Sequence, residues 1–546
     1  MNKSNFRVLL LLFLFSIQIA EASKIPTFDL QKFIDLEIRA GKKTIYIPKG
    51  RFRVNPQHRV HLRLDNLSDI TIDGTGVEMI CSQTTRAISI NNCQKLTIRG
   101  LTIDYDPLCF TQGVISAMAS DKSYIDVQLQ DGYPTNISTR MEVFNPETKL
   151  LRRHTYYGWQ NAKKIDKKTY RFTKIENYKY NSSSDFEQIG DIVVINSEFA
   201  PDGMIPHAIH SDSCTNLRLE NITVYSGPTF AFLETNGNRN TYYRCTVDRR
   251  PETTDYIKRF MRYRSNNADA FHSKFAFVGP QIIECSAQFQ GDDGVNICGA
   301  YYLVLTSQDG VIRVASHREM DIRKGASLDC ISYSGERVQN IKVLDVRVAG
   351  SVNPNDIEFI KKCSIHEKVQ TGMLNSQTKV YELVLDKADT GLNMGSVISD
   401  ANRTGSGFLV KNCNFSNNRS RGILIKASNG SVVGNTLNGN WLQAILVSPE
   451  AFWLESGCSD NVEITENKIS DNLSKECILI GATCMDRKTP KAGIHQNISL
   501  KNNELVNCPV PQIKCIAVKG LILENNSIDK TIVDGEKCIQ LVNCER

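Results

Sequence analysis

Three carboxylates in the middle of the chain have the type and spacing for acid–base chemistry. Asp269 lies in Ala268-Asp269-Ala270-Phe271-His272, and Asp292 and Asp293 lie in Gly291-Asp292-Asp293-Gly294-Val295-Asn296. Laying Asp269 to His272 over Asp293 to Asn296 gives an offset of 24 residues. If 24 residues make one coil of stacked strands, Asp269 and Asp293 are neighbours about 4.8 Å apart, with Asp292 beside them. Carboxylates that close cannot all ionise easily, so at least one should keep its proton above the usual range. A protonated carboxyl next to ionised ones is the equipment for breaking a glycosidic bond: one protonates the leaving oxygen, the others activate water. The same residues could instead be turn and corner aspartates or a calcium site. The offset shared by all three favours acid–base work over both.

Further candidates surround them. Arg421 and Lys426 fall on the equivalent strand one coil beyond Asp293, where they could bind substrate hydroxyls or offset carboxylate charge. His272 follows Asp269 by three residues and is a candidate for contact with substrate. Trp453 and Glu455 share an irregular loop after the strand at Gln443. An aromatic ring with a carboxylate suits a sugar platform and its hydroxyl partner; a Trp covering the core is the plainer alternative.

The elements that must position these residues announce themselves by repetition. Runs like Asp293-Gly294-Val295-Asn296-Ile297 recur at Arg86, Arg421, Gln443, Lys514 and Lys537, with steps such as 22 and 23 residues. A second run, out of phase, reads apolar-x-x-(Asn, Cys or apolar)-x-apolar, as in Tyr242/Cys245/Val247, Val410/Cys413/Phe415 and Ile464/Asn467/Ile469. Two or three short strands in each unit of about 23 residues, with polar corners of Asn and Gly, predict an all-β chain folded as a right-handed parallel β-helix. Helix signals are nearly absent beyond residue 40; residues 25–40 predict one amphipathic helix capping the open end of the solenoid. The period breaks twice, at about 107–205 and 301–403, where alternating runs such as Tyr124 to Leu129 and Val380 to Leu385 predict two small inserted antiparallel, barrel-like β domains. The expected organisation is therefore a signal peptide over 1–22, a cap and first coils over 23–106, the first insertion over 107–205, coils with the aspartates over 206–300, the second insertion over 301–403, and C-terminal coils over 404–546.

Composition narrows the function. The formal net charge of +6 over 546 residues, without a dense Lys/Arg run, argues against nucleic acid as a partner. Lys3 and Arg7, the apolar run Leu9 to Ile19 and Ala20-Glu21-Ala22 read as a secretory signal, so the protein is expected to be exported to a periplasm or secreted; no other stretch predicts membrane insertion. The 17 cysteines include none in a Cys-x-x-Cys pair, and several hold the inward repeat position, so they read as small buried apolar groups. One or two disulfides are compatible with this reading. The oligomeric state is left open, a homodimer included.

Three stretches, taken in order, resemble the bacterial α-1,3-galactosidases of glycoside hydrolase family 110. They are Leu101 to Gly113 (LTIDYDPLCFTQG), Asn221 to Phe232 (NITVYSGPTFAF), and Ala268 to His272 with Gly291 to Ile297. Arg421-Gly422 and Trp453-x-Glu455 look like further family features, and the resemblance covers the whole mature chain. It implies an exo-acting, inverting hydrolase without cofactor or metal that takes oligosaccharides or glycoconjugates ending in α-1,3-linked galactose, of blood group B type or linear. A more distant similarity to polygalacturonases implies Asp292 as general acid, with Asp269 and Asp293 holding the water. There is no Gly-His-Gly after the Asp-Asp pair, unlike polygalacturonases, and Ala270 stands where the galactosidases are expected to have Gly. The alternatives are a β-helix hydrolase or lyase acting on pectin-like acidic polysaccharide, or a β-helix that binds carbohydrate without catalysis.

Overall fold

The computed structural model describes residues 25–545 apart from 139, 153–158, 176–186, 197–205, 258, 376, 483–487 and 529–537; the expected signal peptide lies outside the described residues. The chain is a parallel β-helix with three columns of strands. One column stacks Val60–Asp65, Arg86–Asn91, Ile209–Asp212, Phe232–Thr235, Phe271–Lys274, Val295–Ala300, Ile423–Ile425 and Ile445–Val447, and continues through Ile478–Ile480, Ile513–Ile516 and Ile539–Val542. Its register pairs Phe271 with Val295 and His272 with Asn296, so the 24-residue offset is one coil. The other two columns are joined by a sharp corner, as between Arg218–Glu220 and Thr223–Val224.

That corner explains the second repeat. Asn221, Arg244, Glu284, Asn412, Glu466, Asn502 and Asn525 turn it in the left-handed region, with φ between 51° and 57°. The reading of Asn and Gly at corners is therefore too narrow: Arg and Glu also occupy this bend, and Arg244 and Glu284 pair across neighbouring coils at 2.7 Å. The residue after the bend points inward and bonds to its counterpart one coil away. The N–H of Cys245 donates to the Cys285 sulfur (3.4 Å) and that of Cys285 to the Cys413 sulfur (3.3 Å). The column then changes chemistry: Cys413 donates to Asn435 Oδ1, and Asn435, Asn467, Asn503 and Asn526 continue the ladder at 3.0–3.1 Å. The described cysteines are free thiols, most of them buried. One apolar core of Ile, Val, Leu, Phe and Cys runs the length of the solenoid.

A helix, Leu30–Arg39, covers the first coil with Leu30 and Ile34 buried; Asp29 caps it by accepting from the Lys32 N–H at 3.0 Å. Two antiparallel sheets interrupt the coils. The first has six strands between Phe110 and Asn196 and is open among the described residues. The second closes into a barrel of Tyr302–Gln308, Val311–Ala315, Ser327–Ile331, Arg337–Val348, Val380–Leu385 and Val397–Asp400. It also contains what the strand pattern did not predict, two α-helices at Pro354–Lys362 and Glu367–Met373. The first starts on a capping box: Asn353 accepts from the Asp356 N–H, Asp356 accepts from the Asn353 N–H, and Pro354 opens the first turn.

Candidate active site

Three consecutive coils bring the acidic residues to one patch. The Ala270 N–H donates to the Asp293 carbonyl and the Gly294 N–H to the Arg421 carbonyl, so Asp269, Asp293 and Arg421 are stacked at the mouth of the same column. Gly291 and Gly294 serve this stacking. A Cβ on Gly291 would meet the Asn267 carbonyl oxygen at 2.6 Å, and one on Gly294 the Gly422 carbonyl oxygen at 2.5 Å. The Gly-Asp-Asp-Gly sequence is thus a close-packed junction between coils that presents both aspartates.

Asp269, Asp292 and Asp293 each offer an oxygen within 4.8 Å of the others. With Phe230, His272, Asn296, Arg419, Ser420, Arg421, Leu442, Glu450, Trp453 and Glu455 they line an open cavity of about 350 Å³. Asp269 and Asp293 are buried, whereas the side chain of Asp292 is 28% exposed and faces the opening. Each has its own partner. His272 Nδ1 lies 2.7 Å from Asp269 Oδ2. The Arg421 backbone N–H donates to Asp293 Oδ1 at 2.9 Å, and its Nη1 lies 3.4 Å from Oδ2. Asp292 Oδ1 meets Arg419 Nη2 at 3.0 Å.

Burial, reinforced by the charges of Asp292 and Glu455, pushes the Asp269 carboxyl well above the usual range. Burial also pushes Asp293 up to about 7, against the pull of Arg421. Groups this close titrate as a unit, and the protons belong to the cluster. Beneath it lies a second carboxylate pair, Glu450 and Glu455, on one lysine. Lys426, fully buried, meets Glu455 Oε2 at 2.8 Å, Glu450 Oε2 at 2.9 Å and Asn296 Oδ1 at 3.2 Å. Burial alone would raise Glu455, but Lys274 and Lys426 outweigh it and hold this carboxyl well below its usual range. Arg421 Nη2 donates to Glu450 Oε1 at 2.6 Å, which ties the two layers together.

All the residues singled out from the sequence meet here: Asp269, His272, Asp292, Asp293, Arg421, Trp453 and Glu455 line the cavity, and Lys426 supports its floor. The chain reverses between Trp453 and Glu455 through Leu454, which is buried with φ 53°. This sends Glu455 down, paired with Ala300 of the central strand, and leaves Trp453 at the rim. Trp453 stacks on His366 from the barrel insertion (4.1 Å, 20°), and Phe452 packs edge-on against both. Opposite, His272 stacks on Phe230 (4.4 Å, 9°), and Phe230 on His207.

Sequence reasoning passed over Arg419, Glu450, Lys274, Asn296 and Phe230. Arg419 had a signal, because Arg419-Ser420-Arg421 puts two cations on the coil above the Asp-Asp pair; Asn296 and Phe230 lie in stretches quoted for the repeat and the resemblance without being singled out, and Glu450 and Lys274 lie in stretches with no distinguishing pattern. The three aspartates are close enough to chelate a cation, as are His272, Cys298 and Glu455. The donor sets favour neither. Arg419 and Arg421 already oppose the aspartates, and Lys274 and Lys426 oppose Glu455, so a cation would enter either place against two fixed positive charges.

No family model matches the chain. The chain resembles curated proteins named α-1,3-galactosidase along most of its length. It is 21% identical to α-1,3-galactosidase B of Bacteroides thetaiotaomicron over 91% of this chain and 82% of that protein. It is 20% identical to α-1,3-galactosidase A of Shewanella woodyi, over 92% and 80%, and 22% identical to that of Bacteroides fragilis, over 92% and 84%. Among solved structures it is similar to the A-module of a mannuronan C-5 epimerase of Azotobacter vinelandii (TM-score 0.40, 11% identity, 94% of this chain and 91% of that one). It is also similar to a family 28 exopolygalacturonase of Yersinia enterocolitica (TM-score 0.37, 9% identity, 97% and 76%).

Proposed function

We propose that this protein is an exo-acting glycoside hydrolase that releases terminal α-1,3-linked galactose with inversion, and that it works as an exported enzyme on oligosaccharides or glycoconjugates without a metal. The observation that carries the reading is the trio Asp269, Asp292 and Asp293, gathered within 4.8 Å in a small cavity. The likeness of nearly the whole chain to proteins named α-1,3-galactosidase supplies the linkage and the sugar.

The partners of each aspartate suggest the roles. A proton on His272 Nδ1 beside Asp269 and the Arg421 N–H donated to Asp293 each stabilise an ionised partner, against the burial that raises both carboxyls, so the pair can hold water once the shared proton has left it. Asp292 faces the opening, where the leaving group must depart, and gives its proton to the glycosidic oxygen as the C–O bond breaks. A water held by Asp269 and Asp293 attacks the anomeric carbon and passes its proton to one of them. Glu450 and Glu455, held from below by Lys426, bind the hydroxyls of the galactose, and Trp453 takes the apolar face of the sugar or of its neighbour.

One observation favours a second outcome. Carboxyl groups about 5 Å apart are typical of retaining enzymes, and inverting pairs stand farther apart. Oxygens of the three aspartates lie within 4.8 Å of one another, near enough for a buried aspartate to attack carbon directly, whereas a third carboxylate gives a water two holders and favours inversion. The test is galactose release, with EDTA present, from an α-1,3-galactosyl disaccharide and a B-type trisaccharide, the fresh anomer being followed by NMR. β-Galactose from the wild type, with Asp292→Asn and Asp269→Asn slowed by roughly 100- to 10,000-fold, is expected. α-Galactose as first product overturns inversion, loss of activity with EDTA overturns metal independence, and no release from either sugar overturns the substrate.

A further inference from the structure

The carboxylate of Glu142 is used by nothing described above. It lies on Met141–Phe144 of the first inserted sheet, opposite Val194, and is 2% exposed. Its Oε2 accepts from Arg264 Nε at 3.1 Å. Its Oε1 finds no hydrogen bond among the described residues and faces Arg419 Nε at 3.6 Å. Arg419 is the same guanidinium that meets Asp292 through Nη2, and its Nε also donates to the Gly291 carbonyl, the residue before Asp292. A buried carboxylate from the insertion and the exposed aspartate of the cluster therefore share one cation.

We propose that Glu142 is a positioning residue of the acid machinery: by sharing Arg419 with Asp292 it holds that cation in place and weakens its pull on the Asp292 proton. The inference rests on Asp292 being the general acid. An arginine paired with that aspartate alone would favour its ionised form and empty it of the proton it must deliver. A second buried anion on the far side of the guanidinium opposes this at short range, where screening is weak. The other charges facing Asp292 are Asp269, Asp293 and Arg421; those facing Glu142 are Arg264, Arg419 and Arg249. Replacing Glu142 by Gln keeps the shape and removes the anion that faces Arg419 from the insertion.

The pH profile of kcat for an α-1,3-galactosyl disaccharide and the rate on α-galactosyl fluoride are the readouts, because fluoride departs without needing a proton from the enzyme. Glu142→Gln is expected to move the basic limb of the disaccharide profile to lower pH by about one unit, with about a tenfold loss above neutrality, and to spare the fluoride. Glu142→Asp, which keeps the charge but draws it back from Arg419, should give a smaller shift in the same direction and serves if the Gln variant does not fold. Equal losses on both substrates with an unmoved profile would overturn the proposal and leave Glu142 a structural anion. Failure of the underlying assignment reads differently: Asp292→Asn would then lose the fluoride reaction as fully as the disaccharide reaction.

Discussion

Asp293 is held between opposing influences, burial against its charge and Arg421 in favour of it, and burial wins to leave it at about 7. This makes a stability statement. A carboxyl that holds its proton more tightly in the folded chain than in the unfolded one, where it titrates near 4, favours folding most at low pH. That contribution is lost as pH rises from about 4 to about 7 and is constant above. Asp293→Asn removes the titration, so the difference in Tm between variant and wild type should move in favour of the variant from pH 4.5 to pH 8. A difference constant across that range would mean that Asp293 titrates as an ordinary carboxylate. At this scale the acids were legible because their chemistry is rare at a repeated offset. Glu142 and Lys274 were not: one reaches Arg419 from an insertion 277 residues earlier, and the other is one lysine at the end of a strand. Only the fold makes either a neighbour of the site.

The ladder inside the corner is the element-scale device that keeps successive coils, and hence the stacked aspartates, in register. Asn467 shows what it is made of. Its Oδ1 accepts from the backbone and side chain of Asn435 (3.0 and 2.9 Å), and its Nδ2 donates to the Val432 carbonyl and to Asn503 Oδ1 (3.0 and 2.9 Å). Asn467→Ala leaves these buried partners unsatisfied and should destabilise the protein by about 2–4 kcal/mol. Asn467→Cys should cost less, because the same column already uses cysteine sulfur as an acceptor at Cys285 and Cys413. Urea unfolding of the two variants decides it; equal losses would mean that the ladder is no more than packing. The interchange of Cys and Asn also explains why the repeat could be read at all. Position and inward direction recur even where chemistry changes. The two barrel helices were missed for the opposite reason: they are single events, and Asn353-Pro354-Asn355-Asp356, though a start signal, was read within a stretch taken as strands.

At the scale of the molecule, the coils supply the lining of the cavity and the insertions back it from behind. The first sends Glu142 to the Arg419 side, and the barrel sends His366 to the rim, where its N–H also donates to the Phe452 carbonyl at 2.9 Å. Solenoids present long shallow surfaces; an exo-acting enzyme needs a blind pocket and a grip on the unit next to the terminal sugar. Trp453 is 37% exposed and Phe452 47%, so this rim keeps open aromatic surface beside the cavity while His366 holds one face of the indole. Trp453→Ala should raise KM for the disaccharide by about tenfold, the order of one aromatic contact, with a smaller fall in kcat. His366→Ala should act in the same direction by roughly threefold, through an indole that has lost its stacking partner. If Trp453→Ala raises KM and His366→Ala does not, the solenoid loop alone forms the platform and the barrel is no part of substrate recognition. If kcat falls in both while KM stays constant, the rim acts on the reacting bond and the leaving sugar is held elsewhere.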